Sequence, residues 1–280
     1  MENNLKARKN KDNLLVSLVY LSAIITVGIL VVIVGFIFIK GMGKINLNFL
    51  FSDYSASGDG GILPMIITTV YMVLVSILVA TPIGILAAVY LQEYAKQGKI
   101  VRVIRFATEC LAGIPSIVYG LFGGIFFVVA LKFQYSILSG GLTVAIIILP
   151  TIIRSTEEAL KTVPQTYREA SLGLGATKFQ TLYKVILPSA IPGILSGVIL
   201  SIGRVIGESA AILLTAGTVA KMPLTVFDSA RTLTVHAYLL TKETGDIQTA
   251  CGVGLVLIVI VFALNTIAKL VAKKLNKANY

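Results

Sequence analysis

Charge is scarce in this chain. Charged residues make up 13% of its 280 residues, against roughly 25% in soluble domains, too few to cover a water-facing surface of ordinary composition. The 56% hydrophobic content excludes disorder and collagen-like repetition. Cysteine is equally sparse. Cys110 and Cys251 lie far apart in apolar segments, which excludes a disulfide scaffold and reads as two small buried hydrophobes. The single histidine, His236, has no Cys/His spacing around it to suggest a metal, and no Ser/His/Asp constellation for it to serve. No GxxxxGK[ST] phosphate loop occurs: Gly173-Leu174-Gly175-Ala176-Thr177-Lys178 fails the spacing, so ATP is not hydrolysed here by that machinery. Internal repeats at a fixed period are also missing. What remains is an integral membrane protein, a single helical bundle.

Spans follow from length, since a crossing helix needs about 20 apolar residues. Leu14–Ile39, Ile62–Leu91, Phe133–Ile153, Val185–Gly203 and Ile247–Ala268 carry no charge, and Phe106–Leu131 carries only Glu109. These give six candidate crossings. The first is too long for a signal-peptide core and no small-residue cleavage site follows it. Pro82 predicts a kink in the second. Uninterrupted apolar runs contradict the short alternating strands of a barrel.

Orientation follows from Lys and Arg. With the N-terminus inside, 17 of the 24 basic residues lie on the cytoplasmic side and 6 outside, leaving Arg204 in the membrane. Both termini are then cytoplasmic. The inner excess accounts for the net charge of +11 as topology and contact with anionic lipid headgroups, and no folded basic domain exists to bind nucleic acid. Outside, Asp53, Asp59, Asp228, Glu243 and Asp246 offset nearly all the basic charge. The outer stretches, Gly58-Asp59-Gly60-Gly61 and 215–246, leave room for a substrate-delivery protein.

The inner loop from Arg154 to Lys184 has a built pattern. Pro164 suits a first helical turn, Thr166 with Glu169 has capping-box spacing, and Gly173 and Gly175 break that helix. Thr177 with Gln180 forms a second capping box. Phe179, Leu182, Tyr183 and Ile186 follow at helical spacing, and Pro188 punctuates the end. Two short helices meeting at a glycine turn make a knob, either an ordinary helical hairpin or a docking element for a soluble partner.

Arg168-Glu169-Ala170-Ser171 … Gly173, continuing to Ile186-Leu187-Pro188, resembles the EAA loop of ABC-transporter permeases, with Ser171 where the family has a second alanine. Ala112-Gly113-Ile114-Pro115-Ser116-Ile117-Val118-Tyr119-Gly120-Leu121, Leu149-Pro150 … Arg154-Ser155-Thr156-Glu157-Glu158-Ala159-Leu160 and Arg204-Val205-Ile206-Gly207-Glu208-Ser209-Ala210 resemble stretches of phosphate-uptake permeases. Leu213-Leu214-Thr215-Ala216 with Leu233-Thr234-Val235 leans toward the PstA-type over the PstC-type subunit. The resemblance implies an all-α membrane protein with six transmembrane helices, both termini cytoplasmic, of the MetI-like ABC permease fold, multi-pass in the cell membrane. It further implies a cytoplasmic tail over 1–13, a first transmembrane helix over 14–39, a permease core of five helices over 62–270 with a coupling loop over 154–185, and a tail over 271–280. Arg168, Glu169, Ala170, Ser171 and Gly173 would couple to the ATPase. The implied partners are a homologous PstC-type permease, two ATP-binding subunits and an external phosphate-binding protein. ATP would be bound by a partner subunit, and no cofactor or chemistry on the substrate is expected of this chain.

Ionisable residues inside a membrane are costly and face protein or water. Arg204 and Glu208 stand at i and i+4, a spacing at which they share a helix face and pair directly. Gly193/Gly197 and Gly203/Gly207 have the small-xxx-small spacing of close helix contact, so the fifth span reads as an interior helix. Arg204 is either a structural counter-charge to Glu208 or a transient contact for an anion, since guanidinium binds phosphate oxygens bidentately. With Glu109 and Glu208, it leaves a net negative balance that opposes a dianion. Arg154, at the end of the fourth span, is either a snorkelling interface residue or, by the resemblance, part of a substrate pathway with Arg204 and Glu208. The Ile114-Pro115-Ser116 break frees backbone groups to line a cavity. Transport of another oxyanion such as molybdate or sulfate, a non-transporting scaffold for an ATPase, and a self-sufficient channel stand as alternatives.

Overall fold

The computed structural model describes residues 2–55 and 60–277. Gly58 and Asp59 of the outer stretch, and residues 1 and 278–280 of the two tails, lie outside them. The described residues form helices α1 (Glu2–Gly41), α2 (Leu47–Phe51), α3 (Leu63–Val89), α4 (Lys99–Ala112), α5 (Ser116–Gly123), α6 (Ile137–Thr162), α7 (Gln165–Gly173), α8 (Lys178–Thr181), α9 (Leu187–Gly207), α10 (Ala210–Thr215), α11 (Leu233–Leu239) and α12 (Ile247–Lys277), with no strand among them.

Among the described residues, five stretches are long and apolar enough to cross a membrane as single helices: Asp12–Lys44, Leu63–Tyr94, Ile137–Thr162, Lys178–Gly207 and Ile247–Leu270. The sixth crossing is a broken pair. Lys99–Ala112 and Ser116–Ala130 meet at 99°, so the run from Phe106 to Leu131 is two half-helices. Pro115 is the cause. It has no N–H for the Leu111 carbonyl four residues back and its ring disfavours a helical Ile114. Pro115 is itself extended at ψ 137°. The Leu111 carbonyl accepts the Ile114 N–H at 3.2 Å and the Tyr119 hydroxyl at 2.7 Å in its place. By contrast α3 runs through Pro82 and α6 through Pro150 without interruption.

The core is a seam between α3 and α6, with α9 laid against α6. Met72, Ile137, Val144, Ile148, Ile152 and Ile212 are fully buried there, and the Ser76 hydroxyl donates to the Gly141 carbonyl at 3.1 Å inside it. Gly193 and Gly197 make the close contact that their spacing predicts. A Cβ on Gly193 would lie 2.6 Å from the Ala159 Cβ, and one on Gly197 would collide with Ser155. Gly203 and Gly207 do not: a Cβ on either would meet nothing within 4 Å outside its own helix backbone. A second apolar cluster (Val89, Leu160, Val163, Leu182, Ile186 and Ala190) sits where α3 and α6 end and α9 begins. A third, around Phe49, Met65, Leu233 and Val253, closes the opposite end. Cys251 is buried, but Cys110 is exposed on α4, because α4 buries little beyond Val101.

Widened π-turns occupy Tyr90–Tyr94, Gly124–Ala130, Leu182–Ile186 and Leu240–Thr244. The Leu182–Ile186 turn corrects an expectation. Pro188 does not end the second short helix. The Leu187 N–H reaches the Leu182 carbonyl and the helix continues into α9, because Pro188 falls in the first turn of α9, where a missing N–H is tolerated.

Candidate functional site

Two groups of residues stand out, one at the inner end of the bundle and one along α9. At the inner end, α7 starts at Gln165 with Pro164 as an extended cap. Thr166 is therefore already inside the helix, and the Thr166/Glu169 capping box does not form. The Thr177/Gln180 box does: the Gln180 N–H donates to Thr177 Oγ1 at 3.2 Å and the Thr177 N–H to Gln180 Oε1 at 2.9 Å. The reversal between α7 and α8 needs Gly175, whose φ of +86° is left-handed. Gly173 only completes α7.

The five coupling residues divide between two faces. Glu169, Ala170 and Gly173 are exposed, whereas Arg168 and Ser171 are half-buried. Arg168 Nη2 donates to Glu93 Oε1 at 2.8 Å and to the Leu160 carbonyl at 3.1 Å, and Nη1 to the Val163 carbonyl at 3.2 Å. The Ser171 and Thr181 hydroxyls are 2.9 Å apart. The stripe Phe179, Leu182, Tyr183, Ile186 also splits. Leu182 and Ile186 are buried, while Phe179 and Tyr183 stack outward on each other at 6.4 Å. Tyr167, Leu172 and Leu174, the last 90% exposed, complete an outward apolar surface.

Arg154 lies within α6, well before that helix ends at Thr162, and so is not the last residue of its span. It pairs with Glu158 at 3.4 Å, both side chains exposed, beside a cavity of about 400 Å³ between α4 and α6 lined also by Arg105, Glu109, Glu157 and Lys161. Arg105 bridges to buried Glu157 at 3.1 Å and donates to Gln97 at 3.1 Å. The cavity thus holds three basic and three acidic side chains, and its net charge is zero.

Arg204 and Glu208 are not brought together. The helix ends at Gly207 and Glu208 is extended at ψ 131°, which takes it off the face of Arg204. Its buried carboxylate instead accepts the Ala211 N–H at 3.2 Å, in the first turn of α10, where a negative charge is favoured. Arg204 is exposed and makes no ion pair or hydrogen bond among the described residues, and α5 packs against α10 just beyond it. Two broken helices, α4/α5 and α9/α10, therefore meet near one unpaired cation.

His236 is buried in α11, edge-on to Tyr54 at 5.6 Å, with the Arg231 guanidinium 4.6 Å from the same ring. Burial first, and the Arg231 charge second, push its pKa down to about 3. No group of three or more potential metal ligands occurs among the described residues. Glu93, Arg105 and Glu157 are the residues that sequence reasoning did not single out. Only Glu157, a carboxylate in the last turns of a span, carried a local signal.

Residues 80–278 match the family described as Binding-protein-dependent transport system inner membrane component. The chain belongs to that family. It is 37% identical over 245 residues to the probable ABC transporter permease protein YqgI of Bacillus subtilis, covering 82% of this chain and 83% of that one. It is also 37% identical over 209 residues to the phosphate transport system permease protein PstA of Mycobacterium leprae, covering 74% and 68%. Among solved structures, a bacterial alginate ABC transporter, crystallised with its alginate-bound periplasmic protein, superposes with a TM-score of 0.72 at 14% identity over 96% of both chains. The MetNI methionine ABC transporter gives 0.60 at 20% identity over 77% of this chain and 94% of that one. These likenesses establish the MetI-like permease fold. The chain is a multi-pass membrane component of an ABC importer.

Proposed function

We propose that this permease moves inorganic phosphate, with ATP bound and hydrolysed by a separate subunit docked on the outward face of α7 and α8. A homologous PstC-type permease completes the membrane unit, two ATP-binding subunits engage it from inside, and an external phosphate-binding protein delivers substrate. The observation that carries this reading is the joining of α7, with its exposed Glu169-Ala170 … Gly173 face, through α8 to the helix bearing Arg204. Force applied at the knob arrives at the cation, a rigid-body route to alternating access. Phosphate as the cargo draws support from the PstA relatives, which carry that substrate in their names.

The pathway assignments sharpen with the geometry. Arg204 is the anion contact, because no carboxylate pairs with it among the described residues and guanidinium matches phosphate oxygens bidentately. Glu208 holds the α9–α10 break in place with its carboxylate on the Ala211 N–H, turned away from the face of Arg204. Arg154 faces the inner cavity, which is electrically balanced and so lets the anion leave.

The test is uptake into vesicles holding the complete complex, with radiolabelled phosphate against excess sulfate or molybdate. Competition by phosphate alone is expected. Competition by sulfate or molybdate at equal concentration would move the assignment to another oxyanion, the second reading. Glu169→Lys, on the exposed face, should lose co-purification of the ATPase while the permease stays in the membrane.

A further inference from the structure

Movement of α7 reaches the spans by two routes of different character. The first is covalent. α8, the π-turn and α9 form one helical run, Lys178–Gly207, and α7 packs against α8 and that turn with Ser171 bonded to Thr181. This route leads to α9.

The second is one side chain. Arg168 reaches Glu93 on the π-turn that ends α3, and the Leu160 and Val163 carbonyls at the end of α6. Leu160 is among the last helical residues of α6, whose carbonyls have no donor in their own helix. Arg168 and Glu93 are each only 16% exposed, so water competes weakly for the pair. A guanidinium presents five donors in a fixed fork, whereas an ammonium is a point charge on a flexible stem and is a poor substitute where two carbonyls and a carboxylate must be held together. The ends of α3 and α6 and the docking helix α7 thus converge on a single cation beneath the exposed surface.

From this convergence we infer that Arg168 and Glu93 are positioning residues that lock α7 to the α3–α6 pair, so that the docking helix drives α3 and α6 together with α9. The pair takes no part in the contact with the ATPase: Arg168 points inward while Glu169, beside it, points outward. The inference rests on the proposed docking at α7.

The test uses the complete complex in proteoliposomes, with uptake and ATP hydrolysis measured on the same preparation. For Glu93→Gln, co-purification of the ATPase and the hydrolysis rate stay at the unmodified level. Phosphate moved per ATP falls about tenfold, the scale of one charge-assisted hydrogen bond. Arg168→Lys gives a smaller fall of the same kind. An unchanged transport-to-hydrolysis ratio in Glu93→Gln overturns the inference, as does loss of the ATPase from that variant, which would place the pair in the docking contact. Spin labels at Lys96 and Thr166, both exposed, report the lock without a transport readout: their distance distribution broadens in Glu93→Gln, and an unchanged distribution contradicts the lock. If the unmodified complex itself shows no ATP-dependent uptake, the proposed function fails and not the lock, which the label distances then test alone.

Discussion

Arg168 and Arg204 are the same residue type placed at the two ends of the segment that runs from α7 through α8 to the end of α9, and their surroundings differ. Arg168 is half-buried, with a carboxylate and two carbonyls on its guanidinium. Arg204 is exposed, and no ion pair or hydrogen bond holds it among the described residues. A cation whose donors are taken holds elements together; a cation left open beside two helix breaks is free to meet a ligand. The same contrast separates the glycines of α9. Gly193 and Gly197 are pressed against α6, whereas Gly203 and Gly207 face open space. Both halves of α9 are packed, the second through buried Ser201, Val205 and Ile206, and it is one face of that second half, the face of Gly203, Arg204 and Gly207, that stays open.

The largest effect that would break this comparison comes from Arg204→Ala. Uptake should fall by about a hundredfold, the scale of a lost bidentate charge contact, with assembly retained. Persisting uptake would make Arg204 a bystander. Next in size is Gly197→Val. Its side chain collides with Ser155, and overpacking costs about 1–3 kcal/mol, visible as a lower melting temperature of the detergent-solubilised complex. Gly203→Ala, whose added methyl meets nothing within 4 Å, should melt unchanged, and equal losses at both positions would erase the distinction between the packed and the open glycines of α9.

A similar but pH-limited effect is expected at His236. Its pKa is depressed to about 3 in the fold from an ordinary value near 6.5. Below about pH 6.5 the unfolded chain takes up a proton that the folded chain refuses. Stability is therefore constant above that pH and is lost as the pH falls toward 3, by about 2 kcal/mol at pH 5. His236→Asn should flatten the slope of melting temperature between pH 7 and 5; an unchanged slope would show that His236 is not the group responsible.

Much of the fold was legible from the chain because its determinants are local. Apolar run lengths located the crossings, the Thr177/Gln180 spacing located a cap that forms, and Gly193/Gly197 located a contact that exists. What was not legible depended on tertiary geometry or on one backbone dihedral. The break at Ile114-Pro115-Ser116 was legible, but not its 99° angle, since proline alone does not set one: Pro82 and Pro150 sit inside helices that do not break. The Arg204/Glu208 pair looked helical at i, i+4 until Gly207 ended the helix between them. Cys110 lies in an apolar run, yet the half-helix that carries it is left largely uncovered. Arg168 could be placed in the coupling element by its neighbours in sequence. Its true partner, Glu93, lies 75 residues away, a separation that no periodicity reports.

The most direct measurement compares phosphate flux in vesicles that hold this chain alone with flux in vesicles that also hold the partner permease, the ATPase and the external binding protein, each with and without ATP inside. Flux only in the complete, ATP-loaded vesicles is the expected result. Flux through the isolated chain, or flux in the complete vesicles that ignores ATP, would contradict the claim that this subunit moves its substrate by force received at α7.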